Sequence, residues 1–234
     1  MWVKICGITR NEDAEAAFTA GADAIGLNFF PGSKRFVSVP VAAQITAALH
    51  ATAAQDPEQS IPETIGVFVN ADLDTVTATA RSAGLSGIQF HGDEHPSLIE
   101  ACMAQLPGLK VIRAFRVSAE RLDATLAEID LLSARLPLHA VLLDAFVAGE
   151  YGGTGHQVDA RLLSAYCSGP RPRLLLAGGL TPENIGAAVT AVGPWGVDTA
   201  SGVECSPGIK DPRRIREFVR GARAAALQLQ QPRD

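Results

Sequence analysis

Residues 140–144 read Ala140-Val141-Leu142-Leu143-Asp144. A half-exposed antiparallel strand alternates apolar and polar side chains. An unbroken apolar run of this length instead suits a strand covered on both faces, as in a parallel sheet under helices. The same pattern extends outward in both directions. Val3–Cys6, Ala24–Asn28, Ile65–Val69, Gly87–Phe90 and Lys110–Phe115 precede it, and Leu174–Ala177 and Gly196–Thr199 follow. Stretches with helical periodicity fill the gaps, on the order of 30 residues per strand–helix unit. Eight such units predict an α/β chain folded as a single (β/α)8 TIM barrel, one parallel eight-stranded catalytic domain over residues 1–234. An open doubly wound sheet is the competitor, but no G-x-G-x-x-G follows the first strand.

Local signals agree with this division. Thr9 and Glu12 have the spacing of a capping box, and Gly21 falls where a helix ends in a left-handed glycine. Gly21-Ala22-Asp23-Ala24-Ile25, Gly84-Leu85-Ser86-Gly87-Ile88 and Gly193-Pro194-Trp195-Gly196-Val197 repeat one joint: glycine, a small residue three later, then a β-branched residue entering a strand. Thr181-Pro182 predicts a helix start. A last helix is expected from about Asp211, with Ile215, Phe218, Val219, Ala222 and Ala226 on its apolar stripe and residues 230–234 fraying. The arginines around that stripe read as a solvated face. The polar stretch Ala51–Thr64 reads as a loop at the end of the barrel away from the chemistry.

The chain has 234 residues, of which 47% are hydrophobic and 19% charged. That composition supplies a core and excludes a disordered chain. The net charge of −5 argues against nucleic acid or an anionic membrane as partner, yet allows a phosphorylated small molecule in a locally positive pocket. The short apolar start, broken by Gly7 and Arg10, does not read as a signal sequence. No apolar window reaches the roughly 18 residues of a membrane span. Cys6, Cys102, Cys167 and Cys205 are too scattered for a disulfide framework or zinc site. A cytoplasmic, thiol-reduced protein is expected, with no metal; monomer and homodimer both stay open.

In such a barrel the chemistry gathers where strands end at their C-termini. Cys6 ends the first strand. A lone cysteine is ordinarily a small apolar filler, but a thiol at the mouth can act as base or nucleophile. Asp144 ends the sixth strand, as a cap of the next loop or as a carboxyl that apolar neighbours keep protonated for general-acid work. Gly178-Gly179 and Ser201-Gly202 follow the seventh and eighth strands, where barrels commonly hold phosphate on backbone N–H groups. Arg35 lies in the long stretch Asn28–Pro40, on the surface or as a carboxylate clamp. His91 caps a turn or touches a ligand. Gly152-Gly153-Thr154-Gly155, within the stretch 145–157, reads as a lid, a backbone donor loop or plain flexibility.

In order along the chain, Lys4-Ile5-Cys6-Gly7-Ile8-Thr9, Gly21-Ala22-Asp23-Ala24-Ile25-Gly26, Ser33-Lys34-Arg35, Gly66-Val67-Phe68-Val69-Asn70 and Gln89-Phe90-His91-Gly92 resemble the phosphoribosylanthranilate isomerase family. Leu142-Leu143-Asp144, Gly152–Gly155, Ala177–Leu180 and Ser201–Glu204 complete the series. Phe90 stands where leucine is usual, and Thr199 where an apolar residue is usual. The resemblance implies an Amadori rearrangement in tryptophan biosynthesis: N-(5-phosphoribosyl)anthranilate becomes 1-(2-carboxyphenylamino)-1-deoxyribulose 5-phosphate. It implies Asp144 as general acid at the ring oxygen and Cys6 as general base at C2. Arg35 would face the anthranilate carboxylate. His91, Gly153, Gly178, Gly179, Ser201 and Gly202 would contact the substrate. No cofactor is called for, since the iminium formed on ring opening is the electron sink. The related isomerase of histidine biosynthesis uses two aspartates, whereas a cysteine ends the first strand here; a bifunctional enzyme is disfavoured for the same reason. Indole-glycerol-phosphate synthase would need a lysine–glutamate constellation that is not found. A non-catalytic phosphosugar binder would need neither Cys6 nor Asp144.

Overall fold

The computed structural model describes residues 1–54, 58–117, 119–144, 166 and 169–230. Eight parallel strands close into a barrel in sequence order. They are β1 (Trp2–Cys6), β2 (Ala24–Asn28), β3 (Glu63–Phe68), β4 (Gly87–Phe90), β5 (Lys110–Arg116), β6 (Ala140–Asp144), β7 (Arg173–Ala177) and β8 (Gly196–Thr199). Seven helices are present among the described residues: α1 (Asn11–Thr19), α2 (Val39–Ala53), α3 (Leu73–Ser82), α4 (Pro96–Gln105), α5 (Leu122–Arg135), α6 (Ile185–Val192) and α7 (Pro212–Gln230). A small antiparallel hairpin, β9 (Glu204–Ser206) and β10 (Ile209–Lys210), follows β8.

Strand parity sorts the side chains into two cores. Ala140 and Leu142 point into the barrel, where they pack with Ala24, Ile65, Ile112, Ala114, Leu175 and Ala177. Val141 and Leu143 point outward into the larger core beneath the helices. Asp144 shares the parity of Ala140 and Leu142, and Cys6 shares that of Lys4 and Trp2. Parity alone therefore aims both Cys6 and Asp144 at the barrel interior. The register fixes their neighbours: Cys6 lies opposite Gly26, Lys4 opposite Asp198, and Asp144 opposite Ala177.

Gly21, Gly84 and Gly193 all take left-handed φ values, between 59° and 78°. The repeated joint is thus a helix terminator before β2, β4 and β8. Elsewhere local signals give way to tertiary partners. The capping box does not form: α1 starts after Arg10, and Thr9 Oγ1 donates to the Gly208 carbonyl at 2.6 Å across the hairpin. Thr181 and Pro182 stand in a turn ahead of α6. Asn184 caps that helix in position, while its side chain accepts from Thr181 N and donates to Gly179 O. β3 begins at Glu63, whose N–H donates to Asp23 O at 2.9 Å and whose carboxylate pairs with Lys110. α2 continues to Ala53, inside the stretch expected as loop. α7 runs through Gln230, the first of the residues expected to fray, and residues 231–234 lie outside the described part. None of these helices is long and apolar enough to cross a membrane.

Candidate active site

Cys6 and Asp144 stand at the C-terminal ends of β1 and β6, both partly exposed at the mouth. Their surroundings act on them in the same sense. Burial pushes the Cys6 thiol up, and the carboxylate of Asp198 adds to that; Lys4 and Lys210 pull it back down. Burial also pushes the Asp144 carboxyl up, Asp198 adds to that, and Arg116 opposes it. Asp144 is thus held toward its protonated form, the state a general acid needs.

Behind Cys6 lies a buried polar chain. The side chain of Lys4 has no solvent exposure. Its ammonium donates to Asp198 Oδ1 at 3.0 Å and to Gln89 Oε1 at 2.9 Å. Gln89 Nε2 then meets His91 Nδ1 at 2.8 Å. Because Oε1 accepts from Lys4, Nε2 is the donor and Nδ1 the acceptor. The His91 proton therefore sits on Nε2. Burial holds His91 below its ordinary range, with Lys4 adding to that, so the ring is a neutral donor.

Arg35 lies directly over Gly7, which is left-handed at φ 74° and leaves no room for a side chain beneath the arginine. Its Nε and Nη2 donate to the two carboxylate oxygens of Glu204, each at 2.7 Å. The carboxylate expected from a ligand is supplied here by the protein, and Nη1 has no hydrogen-bond partner among the described residues. Lys210 shares Glu204 at 2.8 Å and also donates to the carbonyls of Cys6 (2.6 Å) and Ala200 (3.1 Å). Burial pushes the Glu204 carboxyl up, but Arg35 and Lys210 together outweigh it and hold it below its usual range.

The loops after β7 and β8 interlock. Gly178 and Gly179 have φ of 98° and 59°. Thr199 Oγ1 donates to Leu180 O at 2.7 Å, and a side chain on buried Gly202 would collide with that same carbonyl. Arg214 clamps the outside, donating to Gly202 O and to both oxygens of Glu183. The backbone N–H groups of Gly178, Gly179 and Ser201 have no hydrogen-bond acceptor among the described residues and stand at the mouth. Such a cluster suits an anion. Gly153 and the rest of 145–157 lie outside the described residues. Cys6, Cys102 and Cys205 are free thiols. No cluster with metal-ligating composition occurs among the described residues.

Comparison with known proteins decides the lineage. Residues 3–221 match the model of the N-(5'-phosphoribosyl)anthranilate isomerase family. The Myxococcus xanthus N-(5'-phosphoribosyl)anthranilate isomerase is 43% identical over 230 residues, covering 96% of this chain and 97% of that protein. The chain belongs to the N-(5'-phosphoribosyl)anthranilate isomerase family. It is an isomerase of tryptophan biosynthesis. Among solved members, the Thermotoga maritima phosphoribosylanthranilate isomerase superposes with TM-score 0.77 at 36% identity, covering 96% of this chain and 99% of that one. A second (TM-score 0.76, 34% identity, 96% and 99% covered) was solved with reduced 1-(o-carboxyphenylamino)-1-deoxyribulose 5-phosphate. The Thermotoga maritima enzyme is described as dimeric and has also been solved as monomers made from it.

Sequence reading of this family member did not single out Lys4, Gln89, Asp198, Glu204 or Lys210. For Lys4 a signal was available: it lies two residues before Cys6, so a cysteine aimed into the barrel brings the lysine with it. Glu204 and Lys210 meet only through the hairpin, whose short polar strands carry no apolar pattern.

Proposed function

We propose that this chain, as a single catalytic domain, converts N-(5-phosphoribosyl)anthranilate to 1-(2-carboxyphenylamino)-1-deoxyribulose 5-phosphate with Asp144 as general acid and Cys6 as general base. The observation that carries this reading is the pair itself. Two proton-transfer groups face one mouth from β1 and β6, and the carboxyl is biased toward its protonated form. Asp144 protonates the furanose ring oxygen, and the ring opens to the iminium. Cys6, as thiolate, removes the C2 proton, and the electron pair flows into the iminium to give an enolamine. Tautomerisation of the enolamine yields the ketone. Each proton-transfer group contributes about 10²–10⁴-fold.

The rest of the mouth supplies binding. The N–H groups of Gly178, Gly179, Ser201 and Gly202 take the phosphate. Arg35 offers its Nη1 edge to the anthranilate carboxylate while Glu204 holds the other edge, and His91 donates from Nε2. Gly153 would contact the substrate. A base that must remain a free thiol suits a reducing cytoplasm.

The test is turnover of N-(5-phosphoribosyl)anthranilate by purified Cys6→Ala, with binding of the reduced product analogue measured in parallel. Lost turnover with retained binding is expected. A variant that keeps most of its kcat would end the assignment of the base.

A further inference from the structure

Among the buried charges that the proton-transfer scheme leaves without a task is that of Lys4. Burying an ammonium costs several kcal/mol even when it is paired, and a well-packed apolar residue commonly serves stability as well or better. Lys4 nevertheless occupies the barrel axis with no solvent exposure. Its surroundings are specific. Asp198 lies opposite it in the β1–β8 register and Gln89 reaches in from β4. Cys6, two residues on and of the same parity, faces the same interior, where the charge of Lys4 pulls its thiol down. Asp198 stands on β8, between β1 and β6 by way of β7. Its carboxylate therefore bears on both Cys6 and Asp144.

We infer that the Lys4–Asp198 pair is a positioning device that holds the two proton-transfer groups in opposite charge states, its cationic end toward Cys6 and its anionic end toward Asp144. This rests on the acid and base roles proposed above. The chemistry requires a thiolate and a protonated carboxyl at the same moment, the reverse of what the two groups would choose in water, where the carboxyl ionises first. A dipole lying between them biases each toward the form it would otherwise lack. Neither member moves a proton. Lys4 has a second effect: by fixing the Gln89 amide it sets which nitrogen of His91 carries hydrogen.

Among the described residues, no other charge acts on both of these groups in opposite senses. Lys210 from β10 and Arg35 from the loop after β2 also face Cys6, but both are paired with Glu204. Arg116 on β5 faces Asp144 and favours its ionised form, the wrong direction for an acid. His91 is neutral.

The test is a titration of the Cys6 thiol in the full-length protein, by thiolate absorbance and by the pH dependence of iodoacetamide alkylation, each read as the difference from Cys6→Ala. In Lys4→Gln the titration moves up and alkylation at neutral pH slows by about tenfold, the equivalent of one pH unit. Lys4→Arg restores it. In Asp198→Asn the titration moves down and alkylation quickens, while turnover falls because Asp144 ionises too readily: a more reactive thiol in a poorer enzyme. A merely structural role predicts no such opposition. Titrations that stay with the parent in both variants, or move in the same direction, would overturn the inference. If Lys4→Gln fails to fold, Asp198→Asn decides alone, and a Cys6 titration that does not fall overturns it. A fully active Cys6→Ala would sink the base assignment but leave these thiol shifts readable. An inactive Cys6→Ala with unmoved titrations would sink this inference alone.

Discussion

At the floor of the barrel, Trp2 and Trp195 stack with ring centroids 5.1 Å apart. His139 meets Trp195 edge-on, and Arg173 lies 4.9 Å over its ring. Further up the barrel, side chains of β1 and β8 carry charge: Lys4 two residues above Trp2, and Asp198 three residues beyond Trp195. The floor is closed by dispersion and ring contacts, which tolerate small shifts. The mouth is held by charges with fixed partners, in which every loss strands another group. One barrel thus divides labour along its axis. Cohesion is concentrated at one end, and at the other a costly arrangement persists because it does chemistry.

That division can be broken at either end. The largest expected effect is at Asp144. Asp144→Asn should lower kcat by about 10²–10⁴-fold. It should also raise Tm by a few degrees at neutral pH. The sign follows from the raised carboxyl: its protonated form stabilises the fold fully below the ordinary value of 3.8, and that contribution is lost as pH rises through the higher folded value. The gain over the parent therefore vanishes in acid, which calorimetry at two pH values checks. If Asp144→Asn is destabilising at neutral pH, the mouth is not paying for function.

Lys210→Met comes next. It leaves Glu204 with Arg35 as its one cationic partner and strips the carbonyls of Cys6 and Ala200 of their donor, and chemical denaturation should show a loss of about 3 kcal/mol. At the floor, Trp195→Ala should cost about 2 kcal/mol, since the ring is only partly buried, and leave kcat unchanged. A kcat that falls with it would mean the two ends are coupled. The smallest effect is expected of Arg35→Ala, a rise in KM of about tenfold with kcat nearly constant. A KM that stays put would leave Arg35 as a partner of Glu204 and nothing more.

The same axis explains what the sequence made legible. The strands were readable because each is covered on both faces: the expected bounds of β2, β4, β6 and β8 coincide with the observed ones, and the rest begin or end within two residues. Cys6 and Asp144 were readable because strand ends of a barrel are few and polar groups there stand out. The partners were not. Lys4 looks like any surface lysine until β8 closes against β1. Thr9 looks like a cap until Gly208 arrives from a hairpin far along the chain. Helix signals failed where a side chain found a better tertiary acceptor, and charges misled where the barrel interior, rather than water, received them.

The chain has only two tryptophans, and they face each other at the end remote from the reacting groups. Intrinsic ultraviolet emission will therefore report whether the floor is intact and stay blind to what occupies the mouth. A single optical channel thus monitors folding independently of catalysis, and an inactive variant with parental emission has lost its chemistry rather than its shape.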